Sequence, residues 1–180
     1  MRRLAPALLL LATAACSRGL TKSDAEAALR AKYPVSVPVK VPGRVTAAAG
    51  SPIALRAQAF MDNLQKTGWF DITKTDGKTG ELVYTFTAKA GAPVQASGNS
   101  WLVPAAQAVF VQGTHHEERG NAAKATYQIK LANPTAQFPL YELEHPAVHL
   151  GDTKLRHATF EKQGGAWVLT GTDETLTKGD

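Results

Sequence analysis

"GWFDITKTDGKTGELVYTFTAKA", residues 68–90, is where the chain changes its period. Upstream of it, apolar residues recur at helical spacing. From Trp69 onward they alternate. In ELVYTFTAKA, Leu82, Tyr84 and Phe86 fall on one face and Thr85, Thr87 and Lys89 on the other, the period of two expected of a half-buried strand. TDGKTG supplies turn residues between this strand and GWFDITK, so the segment is predicted to be a β-hairpin.

The same pattern continues downstream. AAQAVFVQGTH is predicted to turn at EERGN into KATYQIKLA, where Ala125, Tyr127, Ile129 and Leu131 alternate with Thr126, Gln128 and Lys130. KLRHATFEK and AWVLTG, joined by QGG, make a closing hairpin. Between these hairpins, GAPVQASGNS reads as loop. NPTAQFPLYELEHPAVHLGD carries Pro134, Pro139 and Pro146, and is expected to be a long irregular excursion.

Two helices are predicted upstream. TKSDAEAALRAKYP has capping-box spacing at Ser23 and Glu26, an apolar stripe of Ala25, Ala28, Leu29 and Tyr33, and Pro34 as its stop. SPIALRAQAFMDNLQKTG places Ser51 at the N-cap and Pro52 in the first turn, with Gly68 at the far end. Its stripe is Ile53, Ala57, Phe60, Met61 and Leu64, while Arg56, Asp62, Asn63 and Lys66 fall mostly elsewhere. VSVPVKVP alternates but holds two prolines, so it reads as an edge strand or extended arm. The expected fold is α+β: two N-terminal helices packed on an antiparallel meander sheet of about five to six strands. The layout, and the final hairpin with its glycine turn and Trp167 in particular, loosely resembles small periplasmic domains of the cystatin-like or nuclear-transport-factor-like kind. Such folds carry many roles.

The first 16 residues have a different character. Arg2 and Arg3 precede an apolar run from Leu4 to Ala15, interrupted by Pro6 and Thr13. The run is shorter than the roughly 20 residues a spanning helix needs. A charged start, a short apolar core and small residues at its end describe a secretory signal peptide. Ala14-Ala15-Cys16 resembles the lipobox of bacterial lipoproteins, although Thr13 stands where that motif usually has Leu. The resemblance implies residues 1–15 as signal peptide, Cys16 as the lipidated mature N-terminus, 16–20 as lipidated cysteine and short tether, and 21–180 as one globular domain. In the Gram-negative families of this kind, Ser17 after the cysteine points to the periplasmic face of the outer membrane. The alternative is ordinary cleavage after Ala12-Thr13-Ala14, which would leave an unpaired thiol near the start of an exported chain.

The 180-residue chain has one cysteine, 20 basic and 15 acidic residues, net +5. Arg2 and Arg3 are the only charges in the leader, which leaves 18 basic residues against 15 acidic ones, net +3. This is too mild a balance to argue for nucleic acid as a partner. With one cysteine, the fold cannot rest on internal disulfides.

Motifs of nucleophilic, phosphate-binding and dinucleotide-binding sites are missing. Ser100 in GNSW has no histidine near it in sequence. THHEER puts His115 and His116 beside Glu117 and Glu118, but neighbours on a strand point to opposite faces and do not share an ion. His145 and His149 have the four-residue spacing of a helical zinc pair, opposed by Pro146. Glu142 and Glu144 share a face if YELEH is extended, and a solvated strand edge accounts for them. No catalytic residue, metal or cofactor is therefore assigned. Phe138 and Tyr141, if exposed on the proline-rich excursion, would form a protein-binding surface. The function expected is a membrane-anchored envelope lipoprotein with a non-catalytic binding role toward an envelope protein. The alternatives are a periplasmic inhibitor or immunity protein guarding against a hydrolase or secreted toxin, and a small hydrolase using the histidines and glutamates.

Overall fold

A computed structural model describes residues 19–176. Cys16 and Ser17 lie outside the described residues. The architecture is α+β with antiparallel strands. In chain order it runs α1 (Lys22–Lys32), β1 (Val35–Pro42), β2 (Arg44–Ala48), α2 (Pro52–Leu64), β3 (Phe70–Asp76), β4 (Glu81–Ala88), β5 (Gln95–Ser97), β6 (Ser100–Arg119), β7 (Ala122–Ala132), α3 (Phe138–Glu144), β8 (Thr153–Gln163) and β9 (Ala166–Gly171). The larger sheet has the order β1-β6-β7-β8-β9, with β5 on the free edge at the start of β6. The smaller sheet is β2-β4-β3.

Two expectations are corrected here. The two predicted helices are joined by a third, α3, and the strands form two sheets rather than one meander. The division into two sheets occurs at Gly43, a single residue between β1 and β2. Its N–H donates to the Asn99 carbonyl at 2.8 Å and its carbonyl accepts from the Phe86 N–H at 2.8 Å, so it bonds once to the turn between β5 and β6 and once into the smaller sheet. A Cβ at Gly43 would lie 3.0 Å from the Asn99 carbonyl oxygen, which explains glycine at this corner. Trp101 ties the same corner: its indole N–H donates to the Phe86 carbonyl at 2.8 Å and its ring meets Phe70 edge-on.

The smaller sheet follows the predicted hairpin. Tyr84 and Phe86 are buried, and Phe70 pairs with Ala88. The longest strand, β6, has register shifts at Phe110/Gln112 and Gly113/His115. Such bulges add bend and twist, and the larger sheet curls so that α1 lies against both β6 and β9. Ala125, Tyr127, Ile129 and Leu131 of β7 all face the core, as their alternation predicts. One buried cluster joins them to Leu29 of α1, Leu64 of α2, Phe86 of β4 and Tyr141 of α3.

Helix α1 starts two residues before the expected cap. Thr21 accepts from the Asp24 N–H at 3.1 Å and donates to the Asp24 carboxylate at 2.6 Å. This earlier frame puts Leu20 just before the cap and Ala25 at the fourth helical position, and both are buried, a hydrophobic staple that a Ser23 cap would forfeit. Glu26 instead crosses to β6 and accepts from the Gly113 N–H at 3.1 Å, beside the bulge. The cap of α2 is as expected: Ser51 accepts from the Ala54 N–H at 3.2 Å, and Gly68 closes the segment at φ 69°.

After β9, residues 172–176 fold back over the sheet. Leu176 is buried. Tyr127 donates to the Asp173 carbonyl at 2.8 Å, so at the 2.8 Å contact between the two phenols Tyr33 is the donor. Buried Arg156 donates through Nε to the Thr175 carbonyl at 2.6 Å, and the Asp173 carboxylate stands 3.8 Å away. Hydrogen bonds from Thr175 hold the Asp173 carboxyl below its usual range.

Burial pushes both phenols, Tyr33 and Tyr127, above their ordinary pKa near 10. A raised pKa lends stability that is complete below pH 10 and lost as pH rises above it. Tyr33→Phe should cost about 1 kcal/mol near neutrality. It should also flatten the loss of stability between about pH 8 and about pH 11, since one raised phenol is gone. Denaturant melts at both pH values check this. An equal loss in wild type and variant would contradict the assignment.

Candidate functional site

The sequence-predicted chemistry is dispersed. His115 and His116 lie on β6 and point to opposite faces, each toward the glutamate two residues on: His115 to Glu117 at 3.6 Å and His116 to Glu118 at 4.0 Å. His145 follows α3 as its C-cap and packs on the Tyr141 ring at 4.6 Å. His149 sits in the next turn, its N–H bonded to the Asp152 carboxylate at 2.8 Å. Among the described residues, no three His, Cys, Asp or Glu side chains are grouped to hold a metal ion. Glu142 and Glu144 are on a helix, so the two-residue step turns them apart rather than onto one strand face.

Phe138 and Tyr141 are not a surface. Both are buried, and their rings stack at 6.1 Å. The segment expected to be irregular contains α3, whose Pro139 falls in the first turn. There the missing N–H removes no helical bond. With Phe138, Leu140 and Tyr141 buried, α3 packs against β1 and β6. Phe138→Ala is therefore expected to cost about 3 kcal/mol of stability. A thermal melt checks this, and an unchanged melting temperature would return Phe138 to the surface.

A concave site lies elsewhere. Helix α2 covers the smaller sheet, α3 covers the edge of the larger one, and a groove of about 410 Å³ opens between them. Val45, Ile53 and Phe60 supply apolar wall; Lys40, Arg56 and Glu144 supply charge. The volume is within the range of small-molecule sites, and apolar walls with a few polar groups match their chemistry. Ile53 heads the apolar stripe of α2, yet it is 61% exposed, while Ala57, Phe60 and Leu64 farther along the stripe are buried. The stripe thus continues past the core into the groove.

Arg56 and Glu144 form an ion pair across the groove, from α2 to α3, through Glu144 Oε2. The other carboxylate oxygen, Oε1, is buried and has no hydrogen-bond partner. Such an atom forgoes hydration that nothing in the protein replaces. Lys40, near the end of strand β1, is exposed and forms no ion pair among the described residues. Ser100, the first residue of β6, completes the floor.

Sequence reasoning missed this groove. It set Arg56 mostly off the apolar stripe of α2 and put Glu144 with Glu142 on a solvated strand face. The one local signal was Ile53, a large apolar residue in the first turn of a stripe. The pairing of Arg56 with Glu144, 88 residues apart, has no local signature. No family model, curated protein or solved structure matches the chain.

Proposed function

We propose that the protein is a membrane-anchored, non-catalytic binding module of the bacterial envelope, and that the groove between α2 and α3 is its binding face. The observation that carries this reading is the exposed end of the α2 stripe, where Ile53 opens onto a concave, mostly apolar wall crossed by an ion pair. The anchor is Cys16, and Ser17 favours the outer membrane of a Gram-negative cell.

The geometry at Gly19 supports an orientation. Leu20 is buried, so the free tether ends one residue earlier than the sequence suggests. From Cys16 to Gly19 the chain reaches at most about 10 Å. Gly19 stands against Glu118, near the end of β6: a Cβ there would be 2.9 Å from the Glu118 carboxylate. Ser100, at the other end of β6, lines the groove. The strand separates the two by up to about 60 Å of contour at roughly 3.3 Å per residue, less where it curls. A lipid at Cys16 holds the Glu118 end against the bilayer and turns the groove toward the periplasm.

Photo-crosslinking in intact cells tests the reading. A photoreactive residue at position 53 should give defined adducts. The same residue at position 155, where Leu155 is 58% exposed on β8, should give few. Adducts at 155 and none at 53 would overturn the groove as the binding face.

A further inference from the structure

The groove makes three demands on an occupant, set by an exposed cation, an unpartnered carboxylate oxygen and an apolar wall. Lys40 is a cation without a carboxylate partner among the described residues. Glu144 Oε1 is a buried acceptor without a donor. Arg56 is already engaged by Glu144 Oε2. With Arg56 and Glu144 offsetting each other, Lys40 leaves the groove one positive charge in excess, which favours an anion. The free carboxylate oxygen favours a ligand that also donates a hydrogen bond. Val45, Ile53 and Phe60 favour an apolar body.

We propose that the groove binds a singly charged amphiphilic acid bearing a hydrogen-bond donor close to its acid group, as in a hydroxy fatty acid or an acylated amino acid. The acid group pairs with Lys40. Glu144 Oε1 is enclosed in the free protein, so the carboxylate turns toward the groove to accept from the donor, a side-chain adjustment common on binding, and a charged acceptor makes that hydrogen bond a strong one. The apolar chain lies along Ile53 and displaces water from the α2 stripe. A plain fatty acid meets the first and third demands but leaves the carboxylate oxygen unpaired. A cationic amphiphile meets Glu144 but places its charge beside Lys40. This inference rests on the groove being the binding face and adds the chemistry of its occupant.

Calorimetry on the leaderless protein, with β-hydroxydecanoate, decanoate and decyltrimethylammonium as probes, tests it. The hydroxy acid should bind, decanoate should bind about tenfold more weakly for want of the donor, and the cation should bind least. Lys40→Glu should weaken the hydroxy acid by more than about tenfold. Glu144→Gln should narrow the gap between the two acids. Lys40 is on the surface, so its variant should keep the wild-type melting temperature, and that melt is run alongside. Equal binding of the two acids, tighter binding of the cation, or indifference to Lys40→Glu would overturn the proposal. If none of the probes binds while position 53 still crosslinks in cells, the ligand chemistry is wrong and the groove stands. If position 53 gives no adduct and no probe binds, both fail.

Discussion

Tyr127→Ala is expected to remove about 4 kcal/mol of stability, a large part of what a domain of this size has. Tyr127 is fully buried at the centre of β7. Its ring packs on Phe110 at 6.4 Å and on Tyr33 at 5.9 Å, so truncation opens a cavity between α1 and the sheet. It also strands three polar groups. The Tyr33 hydroxyl loses its acceptor, and Asp173 loses both the donor to its carbonyl and the acceptor of its N–H. The second loss loosens residues 172–176 from the sheet and with them the neighbourhood of Arg156. Tyr127→Phe separates the two effects. It keeps the ring volume and should cost about 1–2 kcal/mol, the hydrogen-bond share alone. Urea unfolding of both variants checks the order. A Phe variant as unstable as the Ala variant would mean that the hydroxyl network, not packing, dominates the centre of the fold.

Cys16→Ser is expected to move the protein almost completely from the membrane fraction to the soluble fraction. Each buried methylene of an acyl chain contributes about 0.8 kcal/mol of membrane affinity, and two or more chains hold stably. No helix of the described residues is long and apolar enough to cross a membrane, and the leader's apolar run is too short to span. The acyl chains would then be the anchor. Fractionation of cells expressing either form checks this. Membrane association that survives the substitution would transfer the anchoring role to some other part of the chain.

Much of the sheet was legible, because each strand buries one face and so repeats every two residues. Tyr84 and Phe86, and the run from Ala125 to Leu131, occupy the faces that alternation assigns them. Helix α2 was legible for the same reason at a different period, with Ser51 and Gly68 marking its ends. Helix α3 was not. Three prolines, Pro139 within it and Pro134 and Pro146 on either side, argue locally for coil, and only the tertiary burial of Phe138, Leu140 and Tyr141 makes seven residues helical. A helix that short gains most of its stability from packing. The split into two sheets was equally hidden, since it depends on Gly43 approaching Asn99 and Phe86, 56 and 43 positions away in the chain. For the cap of α1, two boxes compete two residues apart. Burial of Leu20 selects the first, which frees Glu26 for Gly113. The groove shares this non-local origin. Lys40, Arg56 and Glu144 come from three elements and meet only after both sheets and both helices are in place.

The most direct test is native mass spectrometry of the protein extracted from its own membranes in a mild detergent. The expected result is a chain that begins at Cys16 and carries covalent acyl mass. A second, non-covalent mass of a small acidic amphiphile is expected as well, lost on gentle activation and absent from Lys40→Glu. A chain beginning at Ala15 without lipid, together with no bound small molecule in the wild type, would contradict both the anchor and the groove.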